Sequence, residues 1–223
     1  MSKVDAVSTK RVTSDWGRAF PGFSQWRPLR LVRRVGPVVQ GITLDVSTAG
    51  DSYFPTAHVH ALTREFPVVT MTMSHRLQGS SGVQESIRFA QHDEVCQDAF
   101  RRISVQSPLS LGDPPSIEEI VGEYHRFARA QAEDGLPPAV IEVEDSILIP
   151  AVVGRLDLTE RGFSLAEELS AIWPTSRLPL SWAGRDGWLQ GLRRVAGDAK
   201  TLQLIVDGQI GKHKLAKVKS CPL

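Results

Sequence analysis

The apolar positions of this chain change their period part way along it. From residue 29 to residue 75 they fall in short runs with strand character. Leu29-Arg30-Leu31-Val32-Arg33-Arg34-Val35 leads into Gly36-Pro37, a turn signal, and Val38 to Val46 follows. In that second run Ile42, Leu44 and Val46 alternate with Thr43 and Asp45, the period-two mark of a half-buried strand. Residues 47–52 read as a loop. Phe54 to Leu62 and Pro67 to His75 then supply two further runs rich in Val, Thr and aromatics. Four short strands in order predict an antiparallel meander. Residues 1–28 read as irregular, with Trp16, Phe20, Phe23 and Trp26 fastening the segment to the body of the protein.

Beyond the strands the spacing becomes helical. Ile87, Phe89, Cys96, Phe100 and Ile103 form a stripe over about 84–104. Ser116 and Glu119 fit a capping box, opening a helix whose apolar face is Ile117, Ile120, Val121, Tyr124 and Phe127 and which Gly135-Leu136-Pro137-Pro138 ends. Residues 139–153 suit strand or helix, and Pro150 argues against one continuous element. Ser164 and Glu167 make a second capping box, for a helix that stops before Pro174, and Asp186 caps another through Gly187–Ala196. Residues 201–219 are ambiguous, because Gly208 and Gly211 weaken a helix that Leu202, Val206, Ile210 and His213 would otherwise suit. Strands followed by helices predict an α+β fold: an N-terminal antiparallel meander packed with a helix-rich C-terminal half. The Pro-rich stretch 108–115 is the natural boundary between a β-rich part, 1–107, and a mainly helical part, 116–223, unless both form one compact domain.

Composition narrows the class without naming a function. The 223 residues carry 26 basic and 25 acidic side chains and are 41% hydrophobic, which sets aside a disordered chain. The two cysteines cannot build a disulfide scaffold, and no apolar run approaches a membrane span. The first ten residues lack the apolar core of a signal peptide, so a cytoplasmic location is expected. Cys96, in line with Phe89, Phe100 and Ile103, reads as a small core residue.

Candidate chemistry is sparse. His58 and His60 share one face of a strand and are the candidate metal ligands. A four-residue loop at 63–66 would set His60 opposite Val69, His58 opposite Met71 and His75 opposite Phe54, leaving the three imidazoles apart; Asp45 is the nearest further ligand, on the other face of its strand. A hydrogen-bonded role at the edge of the core is the competing reading, and no metal or other cofactor is assigned. Gly79-Ser80-Ser81-Gly82 is one residue short of a nucleophile elbow and lacks the Lys-Ser/Thr of a phosphate loop, so it reads as a connector. Acidic groups occur at Glu142, Glu144 and Asp145 and at Asp157 and Glu160, yet lysine is absent from residue 11 to residue 199, against an acid-plus-lysine nuclease pattern. No catalytic residue is assigned.

Charge placement says more than net charge. Residues 1–40 hold eight basic and two acidic side chains (+6), 194–223 hold six and two (+4), and 41–193 hold twelve and twenty-one (−9), which together give the net +1. Trp26 with Arg27, Arg30, Arg33 and Arg34 forms one basic cluster, and Lys212, Lys214, Lys217 and Lys219 a second. Such clusters grip an acidic protein or phosphates, with Trp26 placed to stack a base, unless they lie against the acidic middle or simply face water. Three readings follow. The first is a non-catalytic protein that binds or regulates a partner protein, such as an immunity-like factor or a subunit of a larger assembly. The second is a nucleic-acid binder using both basic ends, and the third a hydrolase or metalloenzyme centred on His58 and His60.

Overall fold

The Gly36-Pro37 turn folds strand β2 (Arg30–Val35) back on β3 (Val38–Val46), with Val35 opposite Val38 and Arg30 opposite Thr43. These lie in a computed structural model that describes residues 6–178, 182 and 184–222. β1 (Ser24–Arg27), β4 (Ser52–Ala61) and β5 (Thr72–Arg76) extend the sheet in the order β1-β2-β3-β4-β5. Two short strands complete it: β6 (Ile87–Arg88) pairs with β4, and β7 (Ser220–Cys221) runs parallel to β2. Among the described residues the α-helices are α1 (Ala6–Ala19), α2 (His92–Gln106), α3 (Ile117–Glu133), α4 (Val140–Val152), α5 (Leu156–Ser170), α6 (Arg185–Ala196) and α7 (Ala199–Lys212). The fold is α+β, with the antiparallel sheet in the N-terminal half and most helices in the C-terminal half. No described helix is long and apolar enough to cross a membrane.

The chain forms two compact units. The first comprises the described residues of 1–60, 69–115 and 214–223, and the second those of 61–68 and 116–213.

In the first unit α1 and α2 supply the core that the sheet needs. Val12, Trp16 and Phe20 bury one stripe of α1 and its exit, and Cys96, Ala99, Phe100 and Ile103 one stripe of α2. They join Leu31, Ile42, Leu44, Tyr53 and Ala57, and the Trp16 ring meets Phe100 edge-on at 4.7 Å. The expected irregular stretch 1–28 is thus corrected over its described part to a helix and a strand. The four-residue spacing Val12–Trp16–Phe20 carried that helical signal, beneath Ser, Thr and Gly residues of modest helix propensity.

Three further expectations give way. The helix expected from residue 84 starts later: Ile87 and Arg88 form β6, a single 3-10 turn follows at Phe89–Gln91, and α2 begins at His92. β3 is buried on both faces up to Leu44, so its alternation marks no solvent face. The fourth strand begins at Thr72 instead of Pro67, and Ala57 pairs with His75 and Val59 with Thr72. A bulge between Ala57 and Val59, with Met73 at φ 47°, shifts the register from the one a short hairpin would impose.

The second unit is a helical bundle. Ser116 and Glu119 form the expected capping box, with Glu119 N–H donating to Ser116 Oγ at 3.2 Å and Ser116 N–H to Glu119 Oε2 at 2.7 Å. α3 ends in a Schellman closure: Gly135 N–H donates to Ala132 and Leu136 N–H to Gln131. Residues 140–152 form one continuous helix, correcting the break expected at Pro150. That proline sits in the last turn, where losing one N–H disturbs little. The second capping box is also overturned: Ser164 lies inside α5 and donates back to Glu160 O at 3.1 Å. Gly184 holds the N-cap position of α6, and Asp186 lies in its first turn. The ambiguous C-terminal stretch is helical only to Lys212, with Asp198 as its N-cap.

Candidate functional site

The basic positions singled out in the sequence fall in two places. Lys212 ends α7 in the second unit, exposed. The others belong to the first, where the C-terminal segment returns to the sheet. Lys219 N–H donates to Ser24 Oγ at 2.9 Å, Arg34 N–H donates to Lys219 O at 2.8 Å, and β7 then lies beside Arg34 and Val35. β1 covers the Arg30–Val32 half of the same β2 edge. The closure therefore carries Lys219 beside Arg34, joining the two basic clusters across 185 positions of the chain.

Within this group the side chains divide. Arg33 is completely buried, over the Phe23 ring, donating to Gln40 Oε1 and to the carbonyls of Ser110, Gly112 and Asp113 at 2.6–2.8 Å. Burial lowers its pKa, opposed by nearby negative charge that includes Asp113. Its donors are spent on the fold, so it presents nothing to a partner. Arg27, Lys214, Lys217 and Lys219 are exposed, and Arg30 and Arg34 half-buried. None of these six forms an ion pair among the described residues. The acidic middle is instead matched by its own arginines: Arg64 with Glu144 and Asp145, Arg102 with Glu85 and Asp98, and Arg155 with Glu118 and Asp157. The Arg27 guanidinium lies 4.1 Å from the Trp26 ring centroid, occupying a face a stacked base would need.

His58 and His60 are both buried, and each meets a threonine: His58 Nε2 lies 3.0 Å from Thr43 Oγ1, and His60 Nδ1 2.8 Å from Thr70 Oγ1. Burial, then the neighbouring His60 and Arg30, push His58 down to about 3, so it is neutral at ordinary pH. His75 pairs with Ala57, on the sheet face opposite His58. The three imidazoles stay apart, as expected, though through strand parity instead of distance along one face.

A different histidine sits in a hydrogen-bonded chain. Trp16 Nε1–H donates to Tyr53 Oη at 3.3 Å, Tyr53 Oη lies 2.7 Å from His92 Nδ1, and His92 Nε2 lies 3.1 Å from Asp15 Oδ2. One proton assignment satisfies every link: the phenol donates to Nδ1, and Nε2–H donates to the carboxylate. Asp15, His92 and Asp93 are the one such group among the described residues close enough to share an ion. Both carboxylates are already engaged, Asp15 by Arg18 and Asp93 by Arg11. Tyr53 is fully buried, and burial raises its hydroxyl well above the ordinary value, so it serves as a donor and not as a nucleophile. Burial also raises the Cys96 thiol, away from the thiolate that reaction requires.

The second unit holds a cavity of about 410 Å³, lined in part by Thr63, Arg64, Glu144, Trp188, Leu192 and Ile205. Arg64 reaches two adjacent acids of α4, pairing with Glu144 and donating to Asp145 Oδ1 at 2.8 Å and Ile141 O at 3.0 Å. Trp188 Nε1–H takes the other Glu144 oxygen at 2.7 Å. One guanidinium thus serves two carboxylates, and burial pushes Asp145 up to about 7 against the pull of Arg64. The sequence shows these acids but not their cation, which lies 80 positions away. Comparison of the chain with protein-family models, with curated proteins and with solved structures gave no match.

Proposed function

We propose that the chain is a non-catalytic binding protein whose first unit engages an acidic surface of a partner protein through Arg27, Arg30, Arg34, Lys214, Lys217 and Lys219. One observation carries this reading: these six cations have no carboxylate partner among the described residues, while eight of the twelve arginines of the acidic middle have one. An unpaired, mostly exposed basic group at a sheet edge attracts acidic surfaces and steers their approach. A protein partner is favoured over nucleic acid because Arg27 covers a Trp26 face and the unit's larger core aromatics, Trp16, Phe20, Phe23, Tyr53, Phe89 and Phe100, are buried.

The test is binding to poly-glutamate and to a 20-nucleotide single-stranded DNA, each followed across a salt titration. Poly-glutamate binding is expected, weakening with salt and lost on reversal of Arg27, Arg30 and Arg34 to Glu. DNA bound more tightly than poly-glutamate would transfer the function to nucleic acid. Binding unaffected by the reversal would remove this surface from consideration.

A further inference from the structure

The two units carry opposite charge. In sequence the first holds fifteen basic and nine acidic residues (+6), and the second eleven and sixteen (−5). None of the six cations of the basic edge pairs with a carboxylate among the described residues, so the acids of its own chain leave that edge open. One place in the second unit breaks a local rule of helix stability. α3 ends in Glu133 and Asp134, both exposed, and its last turn holds no basic residue. The free carbonyls of a helix C-terminus favour cations there and disfavour acids. Neither acid forms an ion pair among the described residues. Arg129, one turn back, is bound to Glu168, and Arg177, which reaches the same turn, spends its Nη1 on Gly135 O. Two acids held where the helix dipole opposes them point to a cation that arrives from outside, because local rules are broken mainly at functional positions.

We propose that the acidic partner of the basic edge is a second copy of this chain, whose second unit presents Glu133 and Asp134 at the end of α3. The proposal rests on the basic edge being a docking surface for acidic protein. Each copy carries a net charge of only +1, so no overall repulsion holds copies apart. The +6 of one unit and the −5 of the other draw unlike units together and orient their approach. Because the two surfaces differ, the contact is heterologous, and every copy offers one of each. Leu136, 49% exposed just beyond Asp134, adds apolar area to the acidic side. A nucleic acid would meet the same cations, but Glu133 and Asp134 would repel it.

Sedimentation of the full chain at about 25 mM and about 300 mM NaCl measures the association. Species heavier than the monomer are expected at low salt, with a dissociation constant below about 100 μM that weakens at least tenfold at the higher salt. Glu133→Lys with Asp134→Lys, which suits the helix end, should abolish association and keep the fold. Lys214→Glu with Lys217→Glu, at exposed positions, should do the same. Mixed in equal amounts, the two variants should associate again, because the intact basic edge of one meets the intact acidic end of the other. Poly-glutamate separates self-docking from the basic edge itself: the Glu133→Lys, Asp134→Lys chain should still bind it. A chain that binds poly-glutamate yet sediments as a monomer at about 500 μM overturns self-docking alone. A chain that does neither overturns the basic edge as well. Association indifferent to salt or to either pair of reversals, or a mixture that stays monomeric, also overturns the proposal.

Discussion

The imidazole of His58 on β4 lies directly against Gly41 on β3, where a β-carbon would stand 2.5 Å from its Cε1. No larger residue fits beneath that ring without moving it, and the ring is held by Thr43 at 3.0 Å. Gly41→Ala should therefore lower stability by about 1–3 kcal/mol, the usual cost of overpacking a core. His58→Ala in the same chain should recover part of that loss. Denaturant unfolding of the two single variants and the double variant checks it, and additive losses would show that the contact does not matter.

His58 and Asp145 should pull the pH dependence of stability in opposite directions. His58 is held down to about 3, so the unfolded chain takes its proton first and stability falls as pH drops from about 6.5. Asp145 is pushed up to about 7, so the folded chain keeps its proton longer and stability falls as pH rises from about 4. Between pH 4.5 and 6.5 the two slopes, each about 1.4 kcal/mol per pH unit at most, oppose each other. Asp145→Asn should leave a stability that rises with pH across this window, and His58→Gln one that falls. Midpoints of urea unfolding measured at half-unit pH steps decide the matter. Parallel profiles for both variants and the parent would contradict the assignment.

Arginines of one short strand should differ sharply in what they do. Arg33 satisfies Gln40 and three backbone carbonyls from complete burial, so Arg33→Met should cost about 3–5 kcal/mol by stranding those acceptors. Arg30 and Arg34, on the opposite face of β2, make no ion pair among the described residues, and Arg27 is exposed. Reversing those three to Glu should change binding while the melting temperature falls far less than in Arg33→Met. Thermal melts of both variants provide the comparison.

Gly208 lies in the middle of α7, exposed, with no atom within 4 Å of the place a β-carbon would take. Gly208→Ala should stabilise the protein by up to about 1 kcal/mol, the difference in helix propensity between the two residues. Chemical denaturation monitored by circular dichroism measures it directly.

The helix that Gly208 sits in illustrates what was legible in the sequence. Leu202 and Val206 announce its buried stripe, but two glycines obscure it because propensity acts locally while the stripe pays off only through packing. Capping of α3 by Ser116 and Glu119 was readable because every group involved lies within four residues. Ser164 and Glu167 match the same pattern and mislead, since the chain has already turned helical at Leu156. For the candidate sites, the basic residues were visible as types, but nothing local separates Arg33 from Arg34.

By itself, the sequence determined the α+β class, the turn at Gly36-Pro37, the order of the central strands and the first helix cap of the bundle. These depend on period and turn chemistry within a few residues. Only the tertiary structure decided that β7 closes on β2, that Arg33 is interior while Arg34 is not, and that Arg64 stands between Glu144 and Asp145. Each of these pairs groups some 80 to 190 positions apart, and such pairings are set by how the whole chain packs, which no local pattern encodes.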